Sequence, residues 1–519
     1  MVASDIPQIQ YTPIEEIQER VSKLKKTFLE HKTRSIEFRL VQLRKLYWAI
    51  KDNEQRIAQA LSADLGKPVF ETQIAESGWL ENDIVFVSRN LHKWAKDEKA
   101  EDIDLAFKFM KPTIRKDPLG CVLVIGWFTL SAFNYPFQLT LGPVIGAIAG
   151  GNTVVIKPSE NAPNSAVVIQ QIVEASLDPS CYTVVQGGIP ESQALLAERW
   201  DKIFFTGGAT VGRIVAKAAA PHLTPVVLEL GGINPAIITK NANPRLVARR
   251  LLWGKLLNAG QVCTSQNYLL VDKAVLPAVV DEFKKAYKEY YPQGAKASPD
   301  YSRIINEGAF HRIKSMIDNT KGKILLGGTM DEKELFIEPT IVEVNSPDDS
   351  LLVQESFGPV IPILAVENAD EAVQIANGIQ STPLGIYPFG SKADTDKILA
   401  STRSGGAAVN DAALHIPTLP FGGVGESGYG AYRGRASFET FVHRRPITTS
   451  PSWLESILAI RYPPYAGKLG KFKAASTLVP DFDRNGQKIR FGWLRTILTL
   501  GGGSAKAGAG RATVVAIGE

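Results

Sequence analysis

The sequence predicts an α/β protein of more than one domain, centred on a doubly wound parallel sheet. Three observations carry that reading. From Leu119 onward, short β-branched runs alternate regularly with helical segments, the pattern of strands joined by crossover helices. The 519 residues are 45% hydrophobic and 21% charged, which suits a globular chain and excludes disordered, collagenous and coiled-coil classes. No charge occurs in the 39 residues between Asp117 and Lys157, as strands and helices buried on all sides require.

The first hundred residues read as helices. Ile14 to Leu29, Ser35 to Asp52 and Asn53 to Leu65 space apolar residues by three and four, and the third ends at Gly66-Lys67-Pro68, a glycine and then a proline. A fourth helical pattern covers roughly Glu71 to Lys96. Between Ala100 and Arg115 polar and apolar residues alternate, which predicts half-exposed antiparallel strands. The doubly wound unit follows, with strands at Cys121 to Ile125, Thr153 to Ile156, Tyr182 to Val185, Lys202 to Phe205 and Val226 to Leu230. Helices between them cover Phe137 to Ala149, Ser165 to Ser176, Pro190 to Ala197 and Val211 to Ala219. A second α/β unit starts near Leu230-Gly231-Gly232, with helices at Ala248 to Leu257 and Leu276 to Tyr287 and strands at Asn267 to Val271, Ile341 to Val344 and Ile361 to Ala365. Turn residues after Arg445 mark an appendix.

The charge-free window is long enough to test as a membrane span. Asn134-Tyr135-Pro136, Pro143 and Gly150-Gly151-Asn152 interrupt it with turn residues, so a buried strand-helix-strand unit is expected instead. The net charge of +5 is uneven. Residues 443–519 hold twelve basic and four acidic residues, a net +8 that leaves the preceding 442 residues at −3. An acidic body disfavours generic nucleic-acid binding, which needs clustered Lys and Arg. Three cysteines cannot build a disulfide framework, and the N-terminus shows no secretory signal, so a cytoplasmic location is expected.

Four motifs bear on chemistry. Gly423-Val424-Gly425-Glu426-Ser427-Gly428 fits a dinucleotide fingerprint but lacks the preceding strand and following βα unit, so it reads as a glycine-rich loop. Phe204 to Gly212 has strand, glycine turn and helix in the right order to face a phosphate, although close strand-helix packing would select the same glycines. Cys263 lies in a small, polar run, Asn258-Ala259-Gly260-Gln261-Val262-Cys263-Thr264-Ser265. It is either an accessible thiolate nucleophile or a small buried hydrophobe. Glu229 interrupts an apolar strand end, where a carboxylate is costly unless it is paired or faces a cleft. It is either a general base or half of a buried ion pair. No histidine falls in metal-ligand spacing with the cysteines, so no metal site is expected.

Together these segments resemble the NAD(P)-dependent aldehyde dehydrogenase superfamily, and within it the class 3 or fatty-aldehyde branch. The resemblance runs from about residue 20 to 445. It rests on ordered motifs: Asn134-Tyr135-Pro136-Phe137, Lys157-Pro158-Ser159-Glu160, Phe205-Thr206-Gly207-Gly208 with Gly212, Leu228-Glu229-Leu230-Gly231-Gly232, Gly260-Gln261-Val262-Cys263, Glu355-Ser356-Phe357-Gly358-Pro359, Asn410-Asp411 and Pro420-Phe421-Gly422-Gly423. It implies a cofactor domain at residues 1–99 and 117–228, a catalytic domain at 229–424, a bridging element for dimerisation at 100–116 and 425–445, and a C-terminal gatekeeper tail at 446–519.

The resemblance also implies roles. Cys263 is the nucleophile, Glu229 the base that activates water, and Asn134 with the Cys263 backbone N–H the oxyanion hole. Lys157 and Glu160 are expected at the adenosine ribose, Gly207, Gly208 and Gly212 at the pyrophosphate, and Glu355 with Phe357 at the nicotinamide ribose. Glu160 would repel a 2′-phosphate, favouring NAD, with NADP tolerated by the class. The implied substrate is a long apolar aldehyde, either a fatty aldehyde or an apocarotenal such as β-apo-4′-carotenal, and the expected assembly is a homodimer. The basic, aromatic stretch Lys488 to Leu500 suggests peripheral contact with an intracellular membrane. Two departures stand out. Trp127 to Ser131 is an insertion of about five residues before Asn134, and displacing a catalytic group by about 1 Å can cost a hundredfold in rate. An impaired, scaffolding homologue is therefore the competing expectation. The other is Ile233, where Lys is common in the family.

Overall fold

A computed structural model describes residues 6–101, 103, 105–126, 133–413, 416–476 and 480–489. The chain divides into two compact units, residues 1–94 with 118–442 and residues 95–117 with 443–519. Among the described residues the first contains two large sheets and a two-stranded hairpin, Met330–Asp331 with Phe336–Ile337. A six-stranded sheet contains the parallel strands Tyr182–Val184, Thr153–Lys157, Cys121–Gly126, Lys202–Gly207 and Val226–Leu230 in that order, and Gly428–Tyr429 closes it antiparallel to the last. Cys121–Gly126 and Thr153–Lys157 are buried at every position, which explains the uncharged sequence up to Ile156. The helix between them, Pro136–Gly150, is also buried along its whole length.

A seven-stranded sheet forms the other half of this unit. Thr340–Val344, Val360–Val366, Tyr268–Asp272, Pro235–Ile238, Gly385–Phe389 and Gly406–Ala407 run parallel, and Lys323–Leu326 pairs antiparallel at one edge. The strands at Pro235–Ile238 and Gly385–Phe389 are absent from the sequence reading. Each contains a proline, as does Val360–Val366, which the sequence predicts as a strand over Ile361 to Ala365, so proline does not account for the difference.

Three expected boundaries move. Glu229 lies within Val226–Leu230, the last parallel strand of the six-stranded sheet, so the break between the sheets follows residue 230 rather than 228. The expected bridging segment 425–445 is split, because Gly428–Tyr429 pairs with Leu228 and Glu229 and only Val442–Ile447 joins the hairpin sheet. The alternating stretch after Ala100 is not a strand throughout. Leu105–Met110 is a 3-10 helix, and six residues are too few to separate a period of two from a period of three.

In the second unit Glu98–Lys99, Thr113–Pro118 and Val442–Ile447 form a three-stranded sheet. Lys116 and Arg444 both reach Glu98, at 3.0 and 2.9 Å, and Arg445 meets Asp117 at 2.9 Å. Beyond Ile489 the basic aromatic stretch lies outside the described residues, as does the insertion at Trp127 to Ser131. Among the described residues no helix is long and apolar enough to cross a membrane.

Candidate active site

The loop that carries Cys263 follows the helix Pro244–Leu256 and is held in an unusual conformation. Asn258, Ala259 and Gly260 take positive φ values of 50°, 51° and 77° in succession. Such backbone persists only when its surroundings fix it. Gly260 has no room for a side chain, since a Cβ would lie 2.2 Å from the Gly358 carbonyl. Gln261 locks the turn: its Nε2 donates to the carbonyls of Asn258 and Arg303, and its Oε1 accepts from the Ile305 N–H. Asn234 Nδ2 holds the carbonyls of Cys263 and Ser265 at 2.8 and 2.9 Å, and Tyr387 Oη donates to the Thr264 carbonyl. These bonds fix the backbone on both sides of the sulfur.

Asn134 is brought to this loop from the segment before Pro136–Gly150. Its side chain is fully buried, Nδ2 donates to the Gln261 carbonyl at 2.9 Å, and Oδ1 has no partner. The acceptor at Gln261 settles which end of the amide is nitrogen. One of its two N–H groups is thereby used and the other remains. Asn134 therefore reaches the nucleophile loop despite the five residues inserted ahead of it.

Glu229 is 4% exposed, and neither carboxyl oxygen has a hydrogen-bond partner. It stands in register with Thr206 on the neighbouring parallel strand, whose hydroxyl is also unpartnered. Burial pushes the Glu229 carboxyl well above the usual range, and Arg433 pulls it back. Cys263 is half-buried. Burial raises its thiol to about 12, with Glu355 and Glu229 adding to the rise and Arg433 opposing it. The thiol and the Glu229 carboxyl thus share one electrostatic environment, and the ion-pair reading of Glu229 is not what the geometry gives.

Cys263 lines a cavity of about 290 Å³ whose wall is mostly apolar and aromatic, including Ile74, Trp79, Tyr135, Leu139, Trp253, Phe421 and Tyr432, with Arg433 among them. Arg433 and its neighbour Gln138 escape the sequence reading. The guanidinium is 4% exposed and lies 4.4 Å from the Trp79 ring centroid and 5.3 Å from those of Phe421 and Tyr432. With its amide oxygen turned toward Arg433, Gln138 accepts from both Nη atoms. No local signal marks Arg433, because the Trp79 ring and the Gln138 amide that meet it come from distant parts of the chain.

The sequence profile of the aldehyde dehydrogenase family matches residues 3–447. The chain belongs to the aldehyde dehydrogenase family. It is 48% identical over 502 residues to the β-apo-4′-carotenal oxygenase of Neurospora crassa, covering 96% of this chain and 93% of that protein. It is 41% identical over 462 residues to a dimeric NADP-preferring aldehyde dehydrogenase of Rattus norvegicus, covering 87% and 99% of the two chains. Among solved structures, the substrate-bound state of Staphylococcus aureus AldH matches with a TM-score of 0.84 at 39% identity, over 88% of this chain and 99% of that one.

Of the remaining motif residues of this aldehyde dehydrogenase, Lys157 and Gly207 lie at the carboxyl ends of parallel strands, where doubly wound sheets take their ligands, and Glu355 and Phe357 precede the strand Val360–Val366. Lys157 ends Thr153–Lys157, is fully buried, and donates to Glu160 Oε2 at 2.6 Å; Glu160 Oε1 is unpartnered. Burial lowers the Lys157 ammonium, and Glu160 opposes that. Gly207 ends Lys202–Gly207, and Gly208 caps the helix Ala209–Ala219. Gly212 faces Leu230, with a Cβ position 2.8 Å from the leucine Cδ2, so strand-helix packing alone demands glycine there. Glu355 is raised to about 8, first by burial, with Arg312 and Lys255 opposing, and its Oε1 has no partner. Phe357 has φ 47° and meets the Phe133 ring edge-on at 5.7 Å.

Proposed function

We propose that the chain oxidises long apolar aldehydes to carboxylic acids, with NAD as hydride acceptor and NADP accepted less well. One observation carries the reading: Cys263 opens into an apolar cavity, and Glu229 is a buried carboxyl whose two oxygens have no hydrogen-bond partner among the described residues. Buried polar groups are normally paired, so an unpaired carboxyl points to function.

The residues present fit a dinucleotide. The spare oxygens of Glu160 and Glu355 suit ribose hydroxyls, and the N-terminus of Ala209–Ala219 suits a pyrophosphate. Glu160 disfavours an added 2′-phosphate by like charge. When bound, the dinucleotide supplies the hydride acceptor that no side chain here provides. The chain's own residues do the rest. Cys263, as thiolate, adds to the aldehyde carbon, and the resulting oxyanion is held by the free N–H of Asn134 and the backbone N–H of Cys263. Once hydride has left that carbon, a thioester remains on Cys263. Glu229, as carboxylate, takes a proton from water while the water oxygen attacks the thioester carbon, releasing the acid and returning the thiol. The apolar wall excludes bulk water until this step. Asn134 is held at the nucleophile loop, which supports catalysis over the scaffolding reading.

The substrate class is tested with purified protein, NAD and a series from hexanal through hexadecenal to an apocarotenal. Rising kcat/KM with chain length is expected, and a preference for short aldehydes would contradict it. The similarity to the Neurospora crassa protein supports including the apocarotenal. A homodimer is proposed by analogy with the rat relative and checked by light scattering. Cytoplasmic, peripheral membrane contact through residues 446–519 is proposed from their basic charge. Co-sedimentation with anionic but not zwitterionic vesicles is expected.

A further inference from the structure

Behind Asn134 lies a buried polar cradle that none of the steps above uses. Lys67 and Glu76 form an ion pair at 2.9 Å with both side chains fully buried. An ammonium has three donors, and those of Lys67 are all accounted for. One goes to Glu76 Oε1, one to the Asn134 carbonyl at 2.7 Å, and the Tyr135 ring lies 4.2 Å from the nitrogen. The other lone pair of the Asn134 carbonyl accepts from Asn258 Nδ2 at 3.0 Å. The same Asn258 amide also reaches the Gln261 carbonyl that fixes the Asn134 side chain.

Each end of the cradle is itself anchored. Lys67 follows Gly66, whose φ of 60° ends the helix Glu54–Leu65, and the Arg303 N–H bonds the Leu65 carbonyl at 2.7 Å. Glu76 Oε2 accepts from the Gln138 N–H at 2.9 Å, in the first turn of Pro136–Gly150. The backbone N–H of Asn258 donates to Glu71 Oε2 at 2.8 Å. Asn134 is therefore gripped from behind and from its C-terminal side.

We propose that Lys67 is a positioning residue for the oxyanion donor: its ammonium, seated on Glu76, holds the Asn134 backbone so that the side-chain amide stays aimed beside Cys263. This rests on the reading of Asn134 given above. Such a grip would keep the amide in place with an insertion of about five residues ahead of it, where a shift of about 1 Å would cost about a hundredfold in rate.

The test is a kinetic double-mutant cycle on the full chain with NAD and hexadecanal. Lys67→Met with Glu76→Gln removes both charges, so no lone buried ion remains. The pair is expected to lower kcat by about 10- to 100-fold, with KM for the aldehyde moving less than about threefold. In an Asn134→Ala background the same pair should cost less than about threefold. Alkylation of Cys263 by iodoacetamide should keep its wild-type rate. Equal losses in both backgrounds, or slowed alkylation, would overturn the proposal. If the paired variant does not fold, Lys67→Arg keeps the charge beside Glu76 and alters only the reach of the donors; it should lower kcat in the wild-type background alone, and additivity would overturn the idea. Full activity of Asn134→Ala by itself would instead reject Asn134 as oxyanion donor, an outcome separate from failure of the cycle.

Discussion

Glu76 and Glu229 are the same residue type, both buried in the same unit, and they differ in what they touch. Glu76 spends its carboxyl on Lys67 and on the Gln138 N–H, while neither oxygen of Glu229 has a partner. Burial raises both. The comparison teaches that partner count, more than burial, separates a carboxylate that holds the fold from one kept ready for chemistry. A satisfied buried ion pair rigidifies its surroundings, whereas an unsatisfied carboxyl costs stability and is retained where catalysis repays that cost.

Exchanging the two carboxyls for amides gives the widest contrast. Glu229→Gln is expected to lower kcat by about 10²- to 10⁴-fold, with no loss of thermal stability, since an unpaired acid has been replaced by a neutral group. Glu76→Gln should do the reverse in stability, costing about 3–5 kcal/mol because the Lys67 ammonium loses its counter-charge; denaturant unfolding measures it. A stable Glu76→Gln protein, or a destabilised Glu229→Gln one, would break the comparison.

The pH profile sharpens it further. A carboxyl or thiol whose folded pKa is raised ionises at a higher pH in the folded protein than in the unfolded chain. Cys263 is pushed to about 12 and Glu355 to about 8, and Glu229 is also raised. The active forms are the thiolate and the carboxylate, so kcat/KM should still be climbing above pH 8. A plateau below pH 7 would contradict the raised values. The smallest effect is expected at Glu160. Glu160→Gln removes the like charge facing a 2′-phosphate and should shift the NADP-to-NAD ratio of kcat/KM upward by about tenfold, the equivalent of about 1.4 kcal/mol.

The first sheet was legible from its alternation of strands and helices, Glu229 and Cys263 stood out by abnormal local sequence with an alternative left open for each, and Asn134 entered only through the family resemblance. Glu229 interrupts an apolar strand, and Gly260-Gln261 precedes Cys263 in a run of small polar residues. Gln261 shows why that run exists, since its two bonds outward and one inward build the turn. Lys67 was legible only as helix punctuation between Gly66 and Pro68, because its partner carbonyl lies 67 residues away. Arg433 follows the glycine-rich loop and reads as a surface charge, whereas its cation faces Trp79 from the N-terminal helices. Local chemistry can be read along the chain; contacts made by tertiary packing cannot.

A single-turnover reaction of Glu229→Gln tests the account most directly. Mixed with NAD and hexadecanal, this variant should release one equivalent of NADH per active site and then stall, with the Cys263 peptide carrying the acyl group by mass spectrometry. Steady turnover at the wild-type rate, or an NADH burst that leaves Cys263 unmodified, would contradict the division of labour between Cys263 and Glu229.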